Sequence, residues 1–369
     1  MEIEQLDGLL TTLRERGFTV VGPRVLDSAI IYDEITSTRD LPVGWTDEQR
    51  PAFYRLKQRA DKAFFGFSVG PQSWKKFLFP PLMKIFGAEK NGESIEVKHE
   101  ETKEPKYAFF GVRPCELEAI LIQDKVFLGY PYLDQTYKKL RENLLLVAVN
   151  CTSPGANCFC TSMKTGPKAT RGFDLALTEV VGDGGHYFVA DVGSEKGIEL
   201  LNTASCQPIK ENEIKEVESL TAATVKSVTK HIDMNHLKEI LGDNHDNAQW
   251  DALGRRCLTC ANCTMVCPTC FCFAVEDVSD LTGKSAERWR TWDSCFSVEF
   301  SYIHGGSIRS SPKSRFRQWM THKLASWVGQ FESYGCVGCG RCITWCPVGI
   351  DITEEARALR KGEKTQTIS

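Results

Sequence analysis

Two runs of four cysteines carry the strongest chemical signal in this 369-residue sequence. Residues 257–268 read CLTCANCTMVCP (the first run) and residues 336–347 read CVGCGRCITWCP (the second run), so both have the spacing C-x2-C-x2-C-x3-C-P. Three thiolates at this spacing hold one iron–sulfur cubane, and the fourth reaches the neighbouring cubane. The rule predicts two [4Fe–4S] clusters, one on Cys257, Cys260, Cys263 and Cys346 (the first group) and one on Cys336, Cys339, Cys342 and Cys267 (the second group).

Zinc is the main alternative for these two runs. Structural zinc sites usually combine two closely spaced cysteines with a distant pair. Two complete runs of four fit that arrangement poorly, and buried unreactive cysteines would not repeat one spacing. We therefore interpret both runs as iron–sulfur ligands.

Four further cysteines form a third group in the first half of the chain. Cys115 and Cys151 each follow a predicted buried strand, and Cys158 and Cys160 lie in the loop TSPGANCFC. Ligands gather at the carboxyl ends of strands in open α/β sheets, and a helix N-terminus beside Cys115 favours its thiolate. The pattern predicts a third metal site. Zinc would accept four cysteines equally well, and unreactive buried thiols are the other alternative.

The remaining cysteines give weaker signals. Cys270, Cys272 and Cys295 occur in PTCFC and WDSC. They could ligate a fourth metal, exchange into a neighbouring cluster or line one without binding it; lining or simple packing is favoured, because no fourth ligand can be named. Cys206 stands alone in the sequence, which predicts a structural role.

The elements that position these cysteines differ between the two ends of the chain. An amphipathic helix is predicted over Ile3–Arg16, buried strands over Tyr107–Val112 and Leu144–Val149, a hairpin over residues 174–192 and helix over residues 211–241. Alternating helices and strands predict an α/β domain.

Cysteine density marks the domain boundary. Eleven of the sixteen cysteines lie in the last 119 residues, and the loop-like stretch Gly242–Asn247 precedes them. We predict an α/β domain over residues 1–245, which holds the third site, and a mainly helical ferredoxin-like dicluster domain over residues 246–369. Helices such as Ser314–Trp327 are expected between the two runs.

The cysteine segments together resemble a known family across almost the whole chain. RCLTCANCTMVCPTCFCFAVEDV, RWRTWDSCF, SRFRQWMTHK and GCVGCGRCITWCP, with FFGVRPCELEAI and NCTSPGANCFC nearer the N-terminus, are similar to the iron–sulfur beta subunit of archaeal sulfhydrogenases and to the corresponding iron–sulfur subunit of anaerobic sulfite reductases. The resemblance implies a third [4Fe–4S] cluster on Cys115, Cys151, Cys158 and Cys160. One departure is Ser307 in IHGGSIR, where the family pattern has histidine, so no histidine role is carried over.

The resemblance also implies a function. Such a subunit relays single electrons between a flavin- and NAD(P)H-binding subunit and a catalytic or electron-accepting subunit of hydrogenase, sulfite or sulfur reductase, or heterodisulfide reductase type. The alternative is a catalytic sulfur or disulfide reductase that uses an under-ligated cluster near Cys270, Cys272 and Cys295. A cluster-based sensor would need a nucleic-acid module, and none is recognisable in the sequence.

Composition and missing motifs narrow the function further. The net charge of −3 argues against a nucleic-acid partner, and no apolar run approaches the ~20 residues of a membrane span. The start MEIEQLDGLL lacks the features of a secretory signal, so a cytoplasmic location and reduced thiols are expected; exposed cubanes favour an anaerobic setting. Neither a G-x-G-x-x-G fingerprint nor a P-loop is present, so the chain is not expected to hold a substrate site of its own.

Basic residues near the cysteine runs allow two interpretations. Arg255, Arg256 and Arg341 could raise cluster potentials or be ordinary surface charge. The basic stretch from Arg309 to Lys323, interleaved with aromatic residues, favours packing beside anionic clusters, with docking of an acidic flavoprotein as the second interpretation.

Overall fold

The computed structural model describes residues 1–68, 70–98, 105–129, 131–182 and 185–363. The helices, in chain order, are α1 (Glu4–Glu15), α2 (Lys75–Leu78), α3 (Pro114–Phe127), α4 (Gln135–Glu142), α5 (Cys160–Met163), α6 (Glu195–Thr203), α7 (Glu211–Ser227), α8 (Leu237–Asp243), α9 (Gln249–Arg256), α10 (Asn262–Met265), α11 (Pro312–Thr321), α12 (Trp327–Phe331), α13 (Arg341–Thr344) and α14 (Ile352–Glu363). The strands are β1 (Thr19–Leu26), β2 (Ala29–Glu34), β3 (Trp45–Arg50), β4 (Phe53–Gln58), β5 (Leu82–Asn91), β6 (Ser94–Lys98), β7 (Tyr107–Val112), β8 (Leu145–Val149), β9 (Leu175–Gly182), β10 (Gly185–Val192), β11 (Phe273–Ser279), β12 (Ser285–Trp292), β13 (Tyr302–Ile303) and β14 (Gly306–Ser307).

A six-stranded sheet forms the centre of the N-terminal part, in the order β10-β9-β8-β7-β1-β2. The four inner strands run parallel, and the two edge strands pair antiparallel with their neighbours. β7 (YAFFGV) and β8 (LLVAV) are almost entirely buried, as parallel strands covered on both faces must be. Helix α1 covers one face with its predicted leucine stripe. The predicted helix and strands of this region are therefore present.

A second sheet joins the two ends of the chain. Its order is β11-β12-β5-β6, and every neighbouring pair is antiparallel. The hairpin of β11 and β12 was not predicted. Between the two runs, helices occupy residues 312–331 and one short 3-10 turn, Glu299–Ser301. Its turn is set locally, because the Asp280 carboxylate accepts from the Lys284 amide and the Thr282 hydroxyl and Gly283 is left-handed.

The C-terminal core is built from helices around the cysteine runs. Trp250 and Leu253 of α9, Phe316 and Met320 of α11 and Leu359 of α14 are buried together. A π-helical turn, His322–Ser326, links α11 to α12. The helix predicted over residues 211–241 is two helices, α7 and α8. No helix in the described part of the chain is long and apolar enough to cross a membrane.

Candidate metal centres

The four cysteines of the first group line one cleft. Cys257 directly follows α9, and Cys346 follows α13. Cys260 lies just before α10, and Cys263 lies within it. The cleft encloses about 450 Å³ of empty space, partly open to solvent, with Phe316 and Trp319 in its walls. Cys260 is exposed at the mouth.

Backbone amides in the first group point at sulfur. Thr259 and Ala261 adopt left-handed conformations (φ 51° and 64°), which curl the chain around the cleft. The Thr259 amide donates to Cys257 Sγ over 3.4 Å, and the Ile350 amide donates to Cys346 Sγ over 3.3 Å. Amides aimed at thiolate sulfur tune iron–sulfur clusters, so this geometry suits such a ligand set.

The second group repeats this geometry in a buried setting. Gly338 and Gly340 are left-handed (φ 65° and 75°) at the positions that match Thr259 and Ala261. The Gly338 amide donates to Cys336 Sγ over 3.4 Å. Burial, followed by the electrostatic influence of Cys336, Cys339 and Cys267, raises the pKa of the Cys342 thiol well above its usual value.

A buried lysine contacts the second group. Lys323, 3% exposed on the π-helical turn, donates from Nζ to Cys267 Sγ (3.2 Å) and to the Gly335 carbonyl (2.8 Å). A hydrogen bond from Cys270, together with the Lys323 ammonium and the Thr269 hydroxyl, holds the pKa of Cys267 well below its usual value. The site thus stabilises a thiolate at Cys267.

The third group lies at the carboxyl ends of two parallel neighbouring strands, as predicted. Cys115 begins α3 after β7, and Cys151 follows β8. With Cys158 and Cys160 they line a cleft that is partly open to solvent. The buried Arg113 guanidinium also lines it and is held by the Phe65 and Phe67 carbonyls at 2.6 and 2.8 Å.

The thiols fit an anionic cluster that supplies its own positive iron. Burial raises the pKa of most of these thiols, for example those of Cys160 and Cys336 to about 12, so thiolates here need a cation to be stable. Arg341 Nη1 is buried beside Cys339 with no hydrogen-bond partner among the described residues. In the same part of the chain, no three His, Cys, Asp or Glu side chains stand where they could hold a single metal ion.

The three groups adjoin one another in series. Cys342 of the second group also lines the cleft of the first group. Cys339 of the second group lines the cleft of the third group, and its carbonyl accepts from Cys158 Sγ over 3.7 Å. The second group therefore lies between the other two.

The other basic residues separate into buried and exposed sets. Arg256 is exposed and pairs with Glu355 at 2.9 Å, and Arg255 is exposed. In the basic stretch, Arg315 and Lys323 are buried beside the first and second groups. These two positions agree with packing beside the cysteines.

A buried polar network, which the sequence did not predict, joins the second run to the N-terminal sheet. Arg341 Nη2 donates to Glu116 Oε1 at 2.6 Å, and both side chains are 1% exposed. Glu116 also accepts from Trp74 Nε1 at 3.0 Å and from the Tyr32 hydroxyl. The sequence signal for it was weak, because Glu116 is one of two glutamates near the start of α3 and only its burial sets it apart.

Comparison with known proteins identifies a domain family and a relative of this chain. Residues 256–350 match the 4Fe-4S dicluster domain family. Over 353 residues the chain is 33% identical to the beta subunit of sulfhydrogenase 2 from Pyrococcus furiosus, an alignment that covers 95% of this chain and 94% of that protein. No solved structure matches the chain.

Proposed function

This chain belongs to the family of sulfhydrogenase beta subunits, and we propose that it is an electron-transfer subunit that relays single electrons through three [4Fe–4S] clusters. The dicluster domain supports iron–sulfur clusters at the first and second groups. The number of clusters and their ligands are part of the proposal. It assigns the first, second and third groups as three sets of four ligands.

The series of cysteine groups is the observation that carries the proposal. Cys342 and Cys339 place the second group against both neighbours, so no electron has to cross a long stretch of protein without a centre. The first cleft opens at the surface beside Cys260 and Leu258, which is 62% exposed. A chain of centres with one end at the surface suits exchange with a partner protein.

Each group also has a buried cation within reach. Arg315 lies beside the first group, Lys323 beside the second and Arg113 beside the third. A bound cluster supplies one-electron chemistry, and its thiolate ligation makes the site anionic. The three cations offset that negative charge in a low-dielectric interior and so favour the reduced state at each site.

Partners are proposed from the family. The relative is by its name one subunit of a sulfhydrogenase, so partner subunits are expected here too. We propose a flavin- and NAD(P)H-binding subunit on one side and a catalytic or electron-accepting subunit on the other, in the cytoplasm of an anaerobic cell. The division near residue 245 is kept in the proposal, with the third group before it and the others after it.

Iron content and electron uptake test the relay. The full chain, purified without oxygen, should hold about 12 iron atoms, four for each cubane, and its visible absorbance should bleach when a reduced flavoprotein is added. Cys336→Ser should lose about four irons and block transfer between the other two groups, which then titrate as separate centres. Cys206→Ser, remote from all three groups, is the matched control.

Two results would contradict the proposal. Stoichiometric zinc with almost no iron would exclude electron transfer. About 8 iron atoms with one zinc would limit the relay to the dicluster pair and make the third group structural.

A further inference from the structure

Two cysteines outside the three groups form a close pair. Cys272 immediately precedes β11 and Cys295 lies shortly after β12, so the ends of the hairpin bring them together. The Asp293 amide donates to the Cys272 carbonyl over 3.0 Å, which extends the ladder towards the pair. Cys272 therefore lies opposite Asp293, two residues from Cys295, and the Cys272 thiol acts electrostatically on Cys295.

The pair lies between the first and second groups. Cys295 and Cys263, a member of the first group, pack against the same hydrophobic cluster, and the Cys263 thiol acts electrostatically on Cys295. Buried hydroxyls fix this placement, because Ser294 Oγ and Thr264 Oγ1 are hydrogen-bonded at 2.7 Å and tie the end of β12 to α10. On the other side, the Lys323 ammonium that contacts the second group acts electrostatically on both members of the pair.

The chemistry of two adjacent thiols differs from that of a cluster. Cys272 and Cys295 are each partly exposed, so water and small reagents reach them. Two thiols held at the paired ends of one hairpin can form and break a disulfide by attack of a thiolate on sulfur. A dithiol and its disulfide differ by two electrons, whereas each cubane carries one at a time.

We propose that Cys272 and Cys295 are a redox-active dithiol that exchanges two electrons with the neighbouring clusters and delivers them to an external disulfide. In the delivering direction, the Cys272 thiolate attacks one sulfur of the external disulfide and expels a thiolate, which takes a proton from water. The Cys295 thiol then loses its proton and attacks Cys272 Sγ, which releases the second thiolate and leaves the Cys272–Cys295 disulfide.

A separate reduction step regenerates the dithiol. The clusters that the first and second groups would hold would supply two electrons, one each, to break the sulfur–sulfur bond, and two protons from water would complete the two thiols. This inference rests on the proposed relay, because the reduced clusters are the reductant. The inference makes the pair of Cys272 and Cys295 the site where two one-electron transfers are combined into one two-electron reduction.

Thiol labelling of the full chain tests the pair. After anaerobic oxidation with an excess of oxidised glutathione, the wild type should carry two fewer alkylated thiols than the dithionite-reduced chain. Peptide mapping should find Cys272 linked to Cys295, and the transition should titrate as a two-electron couple. Cys272→Ser and Cys295→Ser should each abolish the transition while iron content and visible spectrum stay unchanged; Cys206→Ser should behave as wild type.

Three results would overturn the inference. Both cysteines could stay alkylatable after oxidation, or a disulfide could form to Cys270 instead. A loss of about four irons in Cys272→Ser and in Cys272→Ala would make the residue a cluster ligand. Failure of the relay is distinguishable, since the wild type would then lack iron or would not bleach, whereas here the clusters are reduced and the disulfide is not.

Discussion

The left-handed residues of the first run are Thr259 and Ala261, whereas the second run has Gly338 and Gly340 at the same positions. The backbone conformation is shared, so it does not explain the glycines. Packing does, because a Cβ on Gly340 would lie 2.4 Å from the Asn157 carbonyl oxygen. Equal cysteine spacing therefore defines the local loop, and the residues between the cysteines decide how deeply it is buried.

The residue before the third cysteine of each run shows the same contrast. In the first run it is Asn262, exposed, whose amide donates to the Trp345 carbonyl at 3.2 Å. In the second run it is Arg341, buried and paired with Glu116. The first run faces outward and the second run joins the two ends of the chain. Each of the following changes tests that difference.

Removing the charge of Glu116 should have the largest effect on stability. Glu116→Gln leaves the Arg341 guanidinium buried without its counter-ion, which costs about 3–5 kcal/mol in comparable pairs. Denaturant unfolding of the anaerobic chain measures the loss. Glu118→Gln on the same helix, which breaks the exposed pair with Arg171, should cost about 1 kcal/mol or less. Equal losses of unfolding free energy in the two variants would show that the buried pair of Glu116 and Arg341 contributes no more than the exposed pair.

The next largest difference between the two runs is expected when a methyl group is added at Gly340. Gly340→Ala forces a Cβ into the Asn157 backbone in a left-handed conformation, and we expect a loss of about 2–4 kcal/mol together with iron from the second group. The opposite change, Ala261→Gly, should stay within about 1 kcal/mol of wild type. Unfolding curves and iron content report both variants. If Gly340→Ala matches the wild type in stability and iron content, the Asn157 backbone can move aside and the contact does not explain the glycine.

Replacing Lys323 should move one reduction potential. Lys323→Met removes an ammonium that donates to Cys267 Sγ at 3.2 Å, and a hydrogen bond to a charged group contributes about 1.5–3 kcal/mol. The second-group potential should therefore fall by about 60–130 mV, at 59 mV per 1.4 kcal/mol for one electron. Redox titration monitored by electron paramagnetic resonance measures it. Arg315→Met should instead shift the first group; an identical shift of both centres in either variant would contradict local tuning.

The smallest stability effect is expected at the exposed end of the first run. Leu258→Ser removes an apolar side chain, 62% exposed, beside the first cleft, so stability should change by about 0.5 kcal/mol or less. Electron exchange with an external flavoprotein should slow several-fold, because the docking contact is lost. Leu281→Ser, at the fully exposed tip of the β11–β12 hairpin, is the control. The same stopped-flow rate in both variants would exclude docking at Leu258.

Local patterns were sufficient to predict much of this molecule. The strand over Tyr107–Val112 has the bounds that its apolar run predicted, and the turn after it places Cys115 where the sheet rule expected a ligand. The third group could be predicted because its cysteines follow neighbouring parallel strands. That the cysteines of the third group ligate a cluster is still a prediction.

The features that were missed depend on distant contacts. The hairpin of β11 and β12 is stabilised by pairing with β5, which no window of sequence around residue 280 reveals. Lys323 could be identified only as part of a basic stretch, because its burial follows from the π-helical turn and its partners Cys267 and Gly335. Likewise, Glu116 and Arg341 are far apart in sequence.

The second sheet also constrains the order of events during synthesis. β5 is made early, but its partner β12 belongs to the last third of the chain. At about 5–20 residues per second, the β5–β6 hairpin waits on the order of 10–40 s with one edge unpaired. Unpaired edges recruit other strands, so the nascent chain is most prone to aggregate in this interval. The same delay applies to the proposed ligand Cys115, whose neighbour Cys339 emerges later still, so we expect iron loading of the joined groups to follow translation.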